Sequence, residues 1–414
     1  MQEDASLFKY EFAVVLIIKD EAIYVKEWLD YHLLVGVEHF YVYDNESRDN
    51  LKEVLRPYVA EELVTYIPIV GSCAQCSAYS DAVHRFRFDC RYMIFIDVDE
   101  FILPKGGRHL REIVDEVFAI NDHIGGFSMH MLNFGSSGHI DADLNADVIE
   151  RFVHRAPDDH EDHQYVKTIV NPRTVRMPGV HNVVEYFTDK VSVDEYGRLA
   201  APKCALVSVD KIAVNHYRIK SREEYAVRIA RGDAFYSKNP RSMETFERYD
   251  VNDVFDDSIV KYRDELMNAP RAPLEPSTKR NARVLNALLE NLSPALEEAD
   301  DDFYRDKLDR FMTCRAVTVR LHRETKLLSD QEATLLEETA LNCVFKSLTS
   351  CPNQFWKRDL LLDELPKILR RPYQIVNGIR NVFKRSILPE ILIELRTQRR
   401  WNDYMHFDFI NRML

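Results

Sequence analysis

The run Ile94-Phe95-Ile96-Asp97-Val98-Asp99-Glu100-Phe101 constrains this chain more than any other stretch. An unbroken apolar run of this kind reads as a strand buried on both faces, and in open α/β sheets ligands bind outside the carboxyl ends of such strands. Its carboxylates therefore land where a ligand would sit. Asp97 and Asp99, two residues apart, share a face on an extended strand, and a slight turn at the strand end brings both onto one cation. Hard divalent ions such as Mg²⁺ and Mn²⁺ take oxygen ligands from one or two carboxylates and complete their shell with substrate phosphates and water. The pair thus predicts a metal-bridged diphosphate. The plain alternative is an acidic cluster capping the next helix, although acids placed after apolar residues are costly unless something positive satisfies them.

The preceding sequence sets this strand in an alternating pattern. Phe12 to Ile18 is apolar and ends at Lys19-Asp20-Glu21, after which Tyr24, Trp28, Tyr31, His32 and Val35 recur at helical spacing and Gly36 ends the helix. His39 to Tyr43 is a second strand stopping at Asp44-Asn45, a helix follows around Leu51 to Tyr58, Leu63 to Ile67 is a third strand, and a helical segment spans Gln75 to Cys90. This alternation predicts a parallel, doubly wound sheet. Polar residues gather at one strand end after another, first Asp20 and Glu21, then Asp44 and Asn45, then Asp97 and Asp99. Their convergence marks a nucleotide-type crevice. Residues 124–220 turn β-rich and glycine-containing, the Pro270 to Pro276 segment reads as a linker, and the remainder looks helical.

At 414 residues the chain has room for two domains, and 46% apolar with 30% charged residues is a globular composition. The formal net charge of −13 argues against nucleic-acid binding, which relies on clustered Lys and Arg. A negatively charged substrate must then be met by a metal or by local basic residues. No apolar run reaches the roughly 20 residues of a membrane-spanning helix, and the N-terminal residues lack a signal pattern, so a cytoplasmic location is expected. The cysteines number 7 and fit reduced thiols better than a disulfide framework; Cys73 and Cys76 form a lone C-x-x-C without a second pair at zinc-site spacing.

The ordered residues resemble those of glycosyltransferase family 92 and its bacterial family-2-like relatives. The match runs through Lys19-Asp20-Glu21, Glu27-Trp28, Tyr31-His32, Gly36-Val37, His39-Phe40, Tyr43-Asp44-Asn45 with Ser47, and Asp97 to Phe101. It continues through Phe134-Gly135-Ser136-Ser137-Gly138, Lys167, His181, Asn215-His216-Tyr217 and Lys220-Ser221. Such families usually place Asn where this chain has Asp20. The resemblance implies an α/β fold of the GT-A (Rossmann-like, nucleotide-diphospho-sugar transferase) type over residues 1–265; the residues themselves, without the resemblance, predict a Pro-rich linker at 266–280 and an α-helical C-terminal domain at 281–414. The resemblance also implies a metal-dependent transfer of a hexose from a nucleotide-diphosphate sugar, usually UDP-hexose, to a glycan or lipid-linked acceptor, in surface polysaccharide or lipid-linked glycan assembly.

Carried residue by residue, the resemblance assigns Asp97, Asp99 and His216 to Mn²⁺ or Mg²⁺. It assigns Lys19, Asp20, Glu21, Asp44, Asn45, Ser47, Asp97, His181 and Lys220 to the nucleotide sugar. Lys220, Arg228 and Arg231 are spaced to clamp phosphates from one helical face, or to be a solvated face. If transfer inverts the anomeric centre, a carboxylate must take the acceptor's proton, with Glu185 and Asp233 as the first candidates and Asp141 and Asp143 as further ones. The Phe134–Gly138 loop would shape the acceptor side, since glycine lets a backbone approach a sugar closely. Residues 366–400 are basic and amphipathic, suited either to peripheral contact with an anionic membrane or to packing on the catalytic domain. A non-catalytic scaffold with the same fold is the alternative of another class. A haloacid-dehalogenase-type phosphatase fits poorly because Phe101 stands where Thr or Val is wanted, and a nucleotidyltransferase would need a Gly-rich basic loop after the first strand.

Overall fold

Strand β1 (Tyr10–Ile18) shows how the sheet is built, because its side chains alternate between two apolar layers. Phe12, Val14, Leu16 and Ile18 pack in a layer with Val25, Trp28 and Leu29 of helix α1 (Ala22–Val35), whereas Ala13, Val15 and Ile17 pack with Ala78, Tyr79 and Ala82 from the opposite side. Both faces are covered, as a continuous run of apolar residues requires. In this computed structural model the described residues are 4–350, apart from 188–189, 232–240, 269–274, 298, 300 and 306.

The chain continues through β2 (His39–Asp44), α2 (Leu51–Ala60), β3 (Val64–Pro68), α3 (Gln75–Phe86), β4 (Cys90–Phe95), β5 (Glu100–Pro104), α4 (Leu110–Phe118) and β6 (Ile124–Asn133). Then come α5 (Val148–Arg151), β7 (His154–Arg155), β8 (Val166–Val170), β9 (Val175–Met177), β10 (Glu185–Tyr186), β11 (Val191–Val193) and β12 (Ile212–His216). Helices α6 (Arg222–Arg231) and α7 (Met243–Tyr249), strand β13 (Val254–Phe255) and helix α8 (Lys261–Asn268) complete the first unit, Met1–Pro276. Helix α8 runs across residue 265, the expected domain end.

Nine strands form one sheet in the order β3-β2-β1-β4-β8-β6-β12-β5, with β11 paired to β6. The expected parallel sheet holds for β3, β2, β1 and β4, but β8 runs antiparallel to both β4 and β6, and β5 antiparallel to β12. The sheet is therefore mixed. The physical reason is at β5, which follows β4 after a tight turn and so cannot return as a parallel neighbour of it, a connection that needs a crossover of a dozen or more residues.

The second unit spans Ser277–Leu414. Its described part is helical, with α9 (Ser277–Leu296), α10 (Asp301–Tyr304), α11 (Leu308–Glu324) and α12 (Asp330–Ser350). Buried Val284, Leu288 and Leu292 on α9 and Leu336, Ala340 and Val344 on α12 recur at four-residue steps, each a single apolar stripe. Among the described residues no helix is long and apolar enough to cross a membrane. The basic segment 366–400 and most of the Pro270–Pro276 linker lie outside the described residues.

Candidate active site

The acidic run is a turn rather than the end of an extended strand. Strand β4 stops at Phe95; the Glu100 backbone N–H donates to the Asp97 carbonyl at 3.0 Å, and the Asp97 N–H donates to Glu100 Oε2 at 2.9 Å. Helix α1 fixes the strand that leaves the turn. Trp28 Nε1 donates to the Glu100 carbonyl at 2.8 Å, Tyr31 Oη donates to the Ile102 carbonyl at 2.7 Å, and the Ile102 N–H donates to His32 Nε2 at 3.3 Å. Burial holds His32 down to about 3, which keeps its ring neutral and able to accept that bond.

Turning the backbone separates the two aspartates. Asp97 points to strand β8, where Lys167 Nζ is 2.9 Å from its Oδ2, and Gln75 Nε2 donates to its Oδ1 at 3.0 Å. Asp99 points toward helix α6 and strand β12, with Arg228 Nη1 at 2.6 Å and His216 Nε2 at 3.9 Å from its Oδ2. Glu100, 4.0 Å from His216 through its Oε1, completes a group in which the donor atoms of Asp99, Glu100 and His216 lie within 4.8 Å of one another. Of the expected metal set, Asp99 and His216 are brought together here, whereas Asp97 is turned toward Lys167. Glu100 joins the two, because a tight turn lets adjacent side chains converge where an extended strand would set them on opposite faces.

Burial and charge tune these groups. Burial raises the Asp99 carboxyl, but Arg228, then His216 and Lys220, outweigh it and hold Asp99 well below the usual carboxylate range. Burial pushes Glu100 up to about 8, reinforced by the neighbouring Asp97 and Asp99 carboxylates and opposed by Lys167. Lys167 itself, desolvated but flanked by Asp97 and Glu100, is raised and stays charged. Burial keeps His216 neutral, and its Nδ1 is 3.2 Å from Asn133 Oδ1. A proton on Nδ1 leaves the Nε2 lone pair facing Asp99 and Glu100, the orientation of a metal-binding imidazole.

The group opens onto a cavity of about 560 Å³. Of the residues expected at the nucleotide sugar, Lys19, Glu21, Asp97 and His181 line it, as do Arg228 and Arg231. The others do not. Asp20 has φ +50°, its carboxylate accepts from the Arg48 N–H at 2.6 Å, and its own N–H donates to Ser47 Oγ at 3.1 Å. Asp44 accepts from the Ser47 N–H at 2.8 Å and from the Tyr66 hydroxyl, while Asn45 Nδ2 donates to the Ile69 and Gly71 carbonyls. Asp20, Asp44, Asn45 and Ser47 are thus spent on holding the loops beside β1 and β2. Lys220 is buried with Nζ 4.3 Å from the Tyr24 ring centre, outside the cavity lining, and acts on Asp99 through its charge alone.

The described candidate bases lie outside the cavity lining. Glu185 is an exposed strand residue paired to Arg176 at 3.0 Å, and Asp141 and Asp143 are exposed and likewise outside the lining. Asp233 lies outside the described residues. The Phe134–Gly138 loop meets protein through Gly135, where a Cβ would sit 2.7 Å from the Val251 carbonyl, and through the Ser136 and Ser137 N–H groups, which donate to Asp250 and Asn252, whereas Gly138 is exposed. Cys73 and Cys76 are free and exposed.

The sequence profile described as glycosyltransferase family 92 matches residues 16–260, from the end of β1 to the start of α8. The chain belongs to glycosyltransferase family 92. Among curated family 92 proteins it is 25% identical over 270 residues to one from Oryza sativa subsp. japonica, covering 64% of this chain and 41% of that protein. A family 92 protein of Ricinus communis is 26% identical over 231 residues, covering 55% and 39%. A galactan beta-1,4-galactosyltransferase of Arabidopsis thaliana is 26% identical over 176 residues, covering 38% and 32%. The chain spans about two fifths of the length of the family 92 relatives it matches. A solved structure of S. aureus TarS with UDP-GlcNAc aligns over 88% of this chain and 93% of that one, at 12% identity and a TM-score of 0.33.

The family 92 region contains every residue of the acidic turn, β12 and α6, within the mixed sheet flanked by helices. Several lining residues carry no sequence signal that singles them out: Gln75, Asp162, Tyr165, Lys203, Arg218 and Tyr249 come from separate loops and helices. Glu100 did carry one, since it stands within the same acidic run as the two aspartates.

Proposed function

We propose that this family 92 chain transfers a hexose from a nucleotide-diphosphate sugar to an acceptor hydroxyl, with a divalent cation held by Asp99, Glu100 and His216. The convergence of those three donors beside the cavity is the observation that carries the reading. Two carboxylates and a neutral imidazole match the oxygen and nitrogen preferences of Mn²⁺, and the carboxylates suit Mg²⁺ as well. When bound, such an ion offsets the charge that develops on the departing nucleotide diphosphate. Asp97, neutralised by Lys167, then contacts the donor without adding an unpaired charge, and Arg228 keeps Asp99 ionised and aimed at the group.

Transfer breaks the bond from the anomeric carbon to the diphosphate and forms one to the acceptor oxygen, whose proton must go to a base. We assign the base, for an inverting reaction, to Asp162. It is 8% exposed, lines the cavity, and has no ion pair among the described residues. The relation to galactan galactosyltransferases is the reason to begin a donor screen with nucleotide-linked galactose. Hydrolysis of nucleotide sugars without acceptor, with Mn²⁺ or Mg²⁺ and then with chelator, is the direct test. Metal-dependent release of nucleotide diphosphate is expected, reduced about a hundredfold to a thousandfold in Asp99→Asn, the order set by losing one group that stabilises developing charge. Unchanged turnover in Asp99→Asn defeats the reading; binding of the nucleotide sugar with no turnover in the unaltered chain favours the non-catalytic scaffold.

A further inference from the structure

The sheet order divides the cavity into two halves. Strand β1 has β2 on one side and β4 on the other, so the crossovers part between β1 and β4, and the crevice at such a switch point suits a nucleotide. Ile17, Ile18, Lys19 and Gln75 line that half. Tyr165, Lys203, Arg218 and Tyr249 line the part next to β8 and β12, with Arg218 near enough to His216 to act on it by charge.

The halves differ in how their charges are matched. On the nucleotide side Lys167 is 2.9 Å from Asp97 and 3.1 Å from Glu100, Arg228 is 2.6 Å from Asp99, and Arg231 is 2.7 Å from Glu21. A donor diphosphate there is left to Lys19 and to the cation proposed above. On the far side Arg248 is 3.5 Å from Glu161, but Lys203 and Arg218 have no acidic partner among the described residues. Each instead lies over a tyrosine ring, Lys203 Nζ 5.2 Å from the centre of Tyr165 and Arg218 Cζ 4.0 Å from the centre of Tyr249. A ring face favours a cation while leaving its hydrogen-bond donors open to a further partner. In a chain of net charge −13, two such cations lining one cavity complement an anionic ligand.

We infer that the acceptor is an acidic glycan, its carboxylate or phosphate met by Lys203 and Arg218. The inference rests on the glycosyltransferase reading given above. The test compares three acceptors of equal length: a neutral galacto-oligosaccharide, an oligogalacturonate and a phosphodiester-linked polyol. They are assayed with the unaltered chain and with the Lys203→Ala/Arg218→Ala double variant, using a donor that the chain hydrolyses. An anionic acceptor should be preferred over the neutral one by about tenfold or more in kcat/KM, the order for a charge-assisted contact, and the preference should fall to about one in the double variant. Whether the oligogalacturonate or the polyol phosphate shows the gain identifies the anion. Equal use of neutral and anionic acceptors overturns the inference alone, as does a rise in donor KM in the double variant, which would assign both cations to the donor phosphates. Absence of donor hydrolysis in the unaltered chain overturns the underlying reading and this inference with it.

Discussion

Asp162 occupies a 3-10 turn, Glu161–Gln164, whose start is tied by the Asp162 N–H donating to His160 Nδ1 at 3.3 Å. The residue is therefore held by its backbone while its carboxylate stays available. Asp162→Asn keeps the shape and removes the proton acceptor, so kcat for transfer should fall by about a hundredfold or more with a small change in donor KM, measured by steady-state kinetics. A donor KM that rises with unchanged kcat would make Asp162 a binding group. At this scale the sequence was legible in part. The apolar run before the carboxylates singles out Asp99, and the family resemblance singles out His216. Glu100 stands in the same acidic run, but the alternation argument assumes an extended backbone where the chain turns and so does not bring it beside Asp99. Asp44, Asn45 and Ser47 are ambiguous for a related reason: short polar residues at strand ends serve equally as ligands and as loop ties.

Among the elements, α6 matters most for the site, because it carries Arg228 and Arg231. It is anchored at Glu224, which takes a bidentate pair from Arg151 at 2.8 and 3.0 Å and a bond from the Tyr24 hydroxyl at 2.9 Å. Arg151 ends the short helix α5, whose Val148 and Ile149 N–H groups donate to Glu27 of α1. Glu27 and Glu224 respond to pH in opposite senses. Burial pushes Glu27 up to about 7, so its contribution to stability is full below the unfolded value near 4.5 and is lost as pH rises through about 7. Burial also raises Glu224, but its bonds from Arg151 and Ser221 bring it down to about 2, so its contribution is present above 4.5 and lost as pH falls toward 2. Urea unfolding across pH should show Glu27→Gln flattening the fall between about pH 4.5 and 7 and Glu224→Gln the one at lower pH. At neutral pH Glu224→Gln should cost about 3–5 kcal/mol, as expected when one partner of a buried pair is removed. An unchanged acid limb in Glu224→Gln would contradict this account. Strands and helices up to β3 could be read from periodicity to within a few residues, because each buries a regular stripe, whereas the helix expected over Gln75 to Cys90 ends at Phe86 and β4 begins at Cys90. The antiparallel return of β5 and β8 could not, since strand direction depends on connections and not on local pattern.

For the whole molecule, the family match at residues 16–260 falls inside the first unit, Met1–Pro276. Residues 1–276 alone should fold and hydrolyse nucleotide sugar at a rate within about threefold of the full chain, measured by nucleotide release and a single cooperative melt. Loss of folding on truncation would show that the helical unit is required by the first. A separate consequence follows from the way α1 holds β5. That strand ends the sheet, and its carbonyls at Glu100 and Ile102 and its N–H at Ile102 are already engaged by Trp28, Tyr31 and His32. A neighbouring copy therefore meets aromatic side chains instead of an open row of backbone donors and acceptors, and strand-by-strand polymerisation is blocked at the margin where the acidic turn begins.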